Sequence, residues 1–110
     1  MRTVTIHLGP DDTLDAVLCG ELDFTNAAAV TTAVREAATR HRPRTVRVDL
    51  AEVTFLDSSG IGVLVKAMHV AQEVGARFVV QRACDKVRDQ LNMTGLLEVF
   101  GLAGHAPGPE

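Results

Sequence analysis

The stretch Phe55-Leu56-Asp57-Ser58-Ser59-Gly60-Ile61-Gly62-Val63 decides the fold of this chain. It leaves an apolar strand end and enters a helix through small polar residues. Asp and Ser suit a helix N-cap, because their oxygens accept backbone N–H groups that the first turn leaves unpaired. Upstream, Val46, Val48 and Leu50 alternate across residues 45–50 in the period of a strand, and a short apolar stretch at 53–56 leads into the turn. Downstream, a helical pattern runs to about Val74 and closes on Gly75, a good C-cap residue. Arg77-Phe78-Val79-Val80-Gln81 is the next buried strand. A strand, a helix and a further strand in succession form a βαβ crossover, and hence a parallel pair.

Working outward, residues 3–8 alternate as a half-buried strand, and Gly9-Pro10-Asp11-Asp12 is a dense turn signal. Residues 14–19 read as a second strand, ended by Gly20-Glu21-Leu22-Asp23, so the opening is a β-hairpin. From Phe24 the period changes. Ala27, Val30, Val34 and Ala37 fall on one helical face, with Arg35, Glu36, Thr39 and Arg40 away from it. Asp23 or Thr25 is the candidate cap, and His41-Arg42-Pro43 is the stop. Residues 85–93 form a short helix with Val87 and Leu91 one turn apart, ended by Gly95. Residues 96–100 read as a last short strand, and the tail 101–110, rich in Gly, Pro and Ala, is expected to fray. The order β-β-α-β-α-β-α-β predicts an α/β fold: a small, mixed, mostly parallel sheet with packed helices and an antiparallel start. The expected organisation is one domain over residues 1–100 and a flexible tail over 101–110.

Composition narrows the function classes. A chain of 110 residues with 46% hydrophobic content supports one core without a disulfide or metal staple. Net charge −3 with no basic cluster argues against nucleic-acid binding, and with no Trp or Tyr any base stacking would fall to four Phe. Apolar stretches are too short for a transmembrane helix, and the N-terminus lacks a secretory signal. Two lone cysteines, Cys19 and Cys84, suggest a cytoplasmic protein with free thiols. Cys84 reads as a small buried filler or as the opening of a helix.

The serine turn would lie at the carboxyl end of a strand, where parallel sheets place their sites. Gly60 and Gly62 allow another surface to approach closely. One reading is a plain capped helix start. Three chemical readings stand beside it. A nucleotide loop needs G-x-x-x-x-G-K-[ST] or G-x-G-x-x-G, of which Gly60-Ile61-Gly62 is a fragment. A serine hydrolase needs G-x-S-x-G and a positioned base; the first glycine is missing, and His7, His41, His69 and His105 show no triad spacing. The third is a phosphoacceptor serine on an exposed turn, at a helix N-terminus that tolerates anions. In the helix that follows, Ile61, Leu64, Val65, Met68 and Ala71 form the expected core stripe. Val63, Ala67, Val70 and Val74 form a second, roughly opposite stripe interrupted by Lys66 and Glu73, expected to be covered by a neighbouring helix, with Val63 partly used in docking.

Three stretches resemble the STAS family, named for sulfate transporters and anti-sigma factor antagonists: Gly20-Glu21-Leu22-Asp23, the serine turn from Phe55 to Val63, and Asn92-Met93-Thr94-Gly95-Leu96. Within it the chain looks like a stand-alone bacterial anti-sigma factor antagonist. The resemblance implies a small mixed sheet with packed helices and a partner-switching role in sigma factor regulation and stress response. The unphosphorylated antagonist would bind an anti-sigma factor with serine kinase activity and free the sigma factor. Phosphorylation of Ser58 would part the two, and a metal-dependent serine phosphatase would restore the active form. Asp57 would shape the turn. Asp23, Ser59, Gly60, Ile61, Gly62 and Val63 would complete the docking surface with Asp57 and Ser58. Phe24 and Asn26 stand where relatives often carry other polar residues or His. No cofactor, metal, membrane or direct nucleic-acid contact is expected, and an enzyme of its own is the third class, ranked last because no acid–base pair or metal set appears in the sequence. The alternative is an interaction subunit of a transporter or signalling scaffold without phospho-switching.

Overall fold

A computed structural model describes residues 3–95. The hairpin forms as expected: β1 (Val4–Leu8) runs antiparallel to β2 (Thr13–Leu22), joined by a single turn at Pro10–Asp12. There follow α1 (Ala27–His41), β3 (Thr45–Leu56), α2 (Ser58–Glu73), β4 (Arg77–Gln81) and α3 (Asp85–Met93). The sheet order is β1-β2-β3-β4, with β3 parallel to both β2 and β4. This is the α/β architecture read from the sequence, a mostly parallel sheet with an antiparallel start. The strand expected at 96–100 and the tail at 101–110 lie outside the described residues.

Two segments that the alternation separates are one strand. β3 spans 12 residues. Its inward side chains step by two at Val46, Val48 and Leu50, then by three at Val53 and Leu56. The register gives the cause: Val17 and Cys19 of β2 face Asp49 and Glu52, and Gly20 and Glu21 face Val53 and Phe55. β3 thus carries an extra residue at each of two places, and each bulge resets which side chains point inward. β2 also runs further than its alternation, through Gly20 to Leu22. Gly20 sits at φ +78°, a left-handed conformation that glycine adopts without steric cost.

The apolar face of the sheet, with Leu14, Leu18, Val48 and Leu50, is closed by Val30, Val34 and Ala38 of α1 and by Leu64 and Ala71 of α2. The second stripe of α2 is the more deeply buried of its two. α1 lies against α2, leaving Val63 and Ala67 2% exposed and Val70 1%. Of the stripe expected to be core, Ile61, Val65 and Met68 are only half-buried. The opposite face of the sheet carries ion pairs. Arg47 donates twice to Asp15, at 2.6 and 3.0 Å, and Arg82 pairs with the buried Asp49.

Two local expectations are corrected. Neither Asp23 nor Thr25 caps α1; Asn26 holds the N-cap position, and its side chain serves the preceding loop instead. Cys84 is exposed rather than a buried filler, and it occupies the N-cap position of α3. Cys19 and Cys84 are both free thiols. Burial, reinforced by Glu52, raises the Cys19 thiol above its ordinary value.

Candidate functional site

The serine turn is anchored on three sides. Asp57 holds the extended N-cap conformation, and its Oδ1 accepts the Gly60 N–H at 3.0 Å. Its own N–H donates to the Leu22 carbonyl at 3.1 Å, tying the turn to the end of β2. One residue earlier, the Gln90 side chain of α3 closes on the Leu56 backbone. Its Oε1 accepts the Leu56 N–H at 3.1 Å and its Nε2 donates to the Leu56 carbonyl at 2.6 Å. β4 pairs with β3 only as far as Asp49, so α3 supplies these bonds where the neighbouring strand has stopped.

Ser58 is the first residue of α2. It is exposed, and its hydroxyl has no hydrogen-bond partner among the described residues. Gly60 lies flush against β2: a Cβ there would stand 2.4 Å from the Leu22 carbonyl oxygen and 2.8 Å from the Leu22 Cβ. The missing side chain brings the start of α2 against the residue preceding Asp23. Asp23 is half-buried, and its Oδ1 accepts the Thr25 hydroxyl and the Thr25 N–H. The Thr25 hydroxyl, followed by its N–H, holds the Asp23 carboxyl below the ordinary range. Asn26 braces the same loop, accepting from the Asp23 N–H at 3.0 Å and donating to the Glu21 carbonyl at 2.9 Å.

A groove of about 390 Å³ lies between the starts of α1 and α2. Ser58, Ser59, Gly62 and Val63 line one side of it, and Phe24, Ala27, Ala28 and Thr31 the other, with Lys66 as the one charged lining residue. Phe24 is 78% exposed. Of the residues expected at the site, Ser58, Ser59, Gly62 and Val63 therefore share this groove, and Asp23 belongs to the adjoining loop. Gly60 and Ile61 do not line it. Gly60 is buried against Leu22, and Ile61 packs on the core. Phe24, Ala27, Ala28, Thr31 and Lys66 are the lining residues that sequence reasoning left out. Their only signal was the departure at Phe24 and a run of small residues after it.

The chemistry open to this arrangement is limited. Among the described residues no base bonds to the Ser58 hydroxyl, and no group of three His, Cys, Asp or Glu side chains is placed to hold a metal ion. No helix among them is long and apolar enough to cross a membrane. What is presented is an exposed serine lining a groove whose other walls are mostly small side chains.

Known proteins resemble this chain in sequence and fold. The model of the STAS domain matches residues 9–106. The anti-sigma-B factor antagonist of Listeria monocytogenes is 30% identical over 99 residues, covering 88% of this chain and 86% of that protein. A solved anti-sigma factor antagonist from Mycobacterium paratuberculosis superposes with a TM-score of 0.71 at 26% identity, over 89% of this chain and 81% of that one. The anti-sigma factor antagonist SpoIIAA in its unphosphorylated form gives a TM-score of 0.74 at 22% identity, over 84% and 81% of the two chains, a likeness of fold. Because the family model spans nearly all of the described fold and the Listeria relative aligns over most of both lengths, this chain belongs to the STAS domain family.

Proposed function

We propose that this protein is a cytoplasmic anti-sigma factor antagonist whose docking surface is centred on Ser58. It binds an anti-sigma factor that is also a serine kinase and so releases a sigma factor. Phosphorylation of Ser58 ends the binding, and a metal-dependent serine phosphatase reverses it. The observation that carries this reading is the place of Ser58: exposed, with an unbonded hydroxyl, on the rim of a groove with small walls. Membership of the STAS family and the name of the Listeria relative support it. In this reading the chain acts by binding, without catalysis or cofactor of its own.

Each site residue has a part in it. Asp57 caps the turn, and Gly60 sets its closeness to β2. Ser59 and Gly62 flank Ser58 on the partner side, Asp23 extends the surface from the adjoining loop, Ile61 anchors the turn on the core, and Val63 is the buried support. A phosphate adds about −1.5 to −2 charge at pH 7, and a helix N-terminus favours that charge, so the turn survives modification. The interface does not, because a desolvated or like-charged group there costs several kcal/mol.

The test is titration of Ser58 variants against each serine-kinase anti-sigma factor of the source organism, with labelled ATP in parallel. Ser58→Ala binds like the wild type and takes up no phosphate. Ser58→Asp binds roughly a hundredfold more weakly, since each ~1.4 kcal/mol is a tenfold change. Label on Ser58→Ala but not on Ser59→Ala moves the acceptor to Ser59. No label on any of them favours a transporter or scaffold subunit without phospho-switching.

A further inference from the structure

Two glycines stand two residues apart at the start of α2, and only one has a reason inside this chain. Gly60 is required by the Leu22 backbone, which a Cβ would strike at 2.4 Å. At Gly62 an added Cβ would meet no atom within 4 Å, and the residue is helical with no left-handed backbone to explain it. Glycine within a helix is disfavoured relative to alanine because it loses more backbone freedom on folding. Gly62 therefore weakens α2 without relieving a clash, and it opens onto the groove.

The rest of the groove points to what needs that space. Ala27, Ala28 and Val63 give it apolar lining, and Phe24, which also lines it, has 78% of its surface exposed. Phe24 is the exposed large hydrophobic that lines this groove, and aromatic rings buried in a contact carry much of its energy. Lys66 closes the groove as its one charged lining residue, exposed and with no acidic partner among the described residues. Apolar lining residues beside an unpaired cation are complementary to an apolar side chain with a carboxylate next to it.

Resting on the function proposed above, we infer that Gly62, Phe24 and Lys66 form a receptor for an apolar side chain of the anti-sigma factor with an adjacent acidic residue. Gly62 admits the side chain, Phe24 covers it, and Lys66 pairs with the carboxylate. Gly62 is thus kept for the complex at the expense of the free protein, and Phe24 is a specificity-determining residue.

The probe is the purified serine-kinase anti-sigma factor that binds the wild type, titrated against Gly62→Ala, Phe24→Ala and Lys66→Gln, with thermal melts of each free variant. Gly62→Ala should raise Tm by about 4 °C and weaken binding at least roughly tenfold. Phe24→Ala should leave Tm within about 2 °C, because an exposed ring contributes little to the core, and weaken binding by a similar factor. Lys66→Gln should flatten the dependence of affinity on salt. Unchanged affinity in Gly62→Ala and Phe24→Ala overturns the inference and leaves the proposed function standing. A lowered Tm in Gly62→Ala overturns it too, by exposing an internal need for glycine. If the variants alter self-association of this chain and not anti-sigma binding, the occupant is a second copy and the inference fails. If no anti-sigma factor binds the wild type, the proposed function fails and takes the inference with it.

Discussion

At Gly60 a single absent methyl group decides how close α2 lies to β2. The obstacle to a side chain there is the Leu22 carbonyl, part of the backbone, and cannot rotate away. Gly60→Ala should cost about 1–3 kcal/mol, the range for overpacking a filled site, read as a lowered urea midpoint with an unchanged slope. Asp49 governs a different property. Burial pushes its carboxyl up, but hydrogen bonds from Arg82 and from the Ala51 N–H, together with the charge of Arg82, outweigh that and hold it below its ordinary value. A carboxyl depressed in the folded state stabilises fully above the unfolded value of about 3.9. That contribution drains as pH falls through the folded value. Asp49→Asn should flatten the acid limb of stability below about pH 4, measured as urea midpoints at successively lower pH. Much of the serine turn is legible as sequence, because Asp57, Ser58 and Gly60 form a contiguous cluster with local hydrogen bonds. Phe24 and Lys66 are not, because their sharing of one groove is decided by how two helices pack.

Among the elements, α3 shows how a correctly read helix can conceal its role. Its Val87 and Leu91 stripe is plain in the sequence and both residues are fully buried. Its contact with the site runs through Gln90, whose partner Leu56 lies 34 positions earlier, beyond any local pattern. Gln90→Leu keeps the bulk but leaves the Leu56 N–H and carbonyl unpaired where β4 no longer reaches. The expected loss is about 1–3 kcal/mol, the cost of unsatisfied buried polar groups. Amide hydrogen exchange should show faster opening at Leu56 and at the start of α2, with the β1–β2 hairpin unchanged. β3 carries a similar lesson. Its two bulges change the inward step from two to three, so a period-two reading splits one strand into two pieces. Bulges follow from pairing with β2, and pairing is invisible to a one-dimensional pattern.

For the molecule as a whole, class and element order are legible because hydrophobic period and turn chemistry agree along the chain. In the proposed function the charge change is phosphate on Ser58, an exposed residue outside the core. The N-terminal end of α2 attracts it by about 0.3–1 kcal/mol, while the Asp57 carboxylate opposes it. Phosphorylated and unmodified protein should therefore melt within about 8 °C of each other, the width that roughly 1 kcal/mol spans in a domain of this size. A larger drop would mean that the modification reaches the core. The strand order β1-β2-β3-β4 is also the order in which a ribosome makes them. Each of these four strands finds its neighbour already synthesised, and none of the four must insert between two earlier ones. Both walls of the groove, residues 24–31 and 58–66, have been translated before β4 and α3 exist. The surface that would meet a partner is thus laid down early, and α3 arrives afterwards to lock the strand end that carries it.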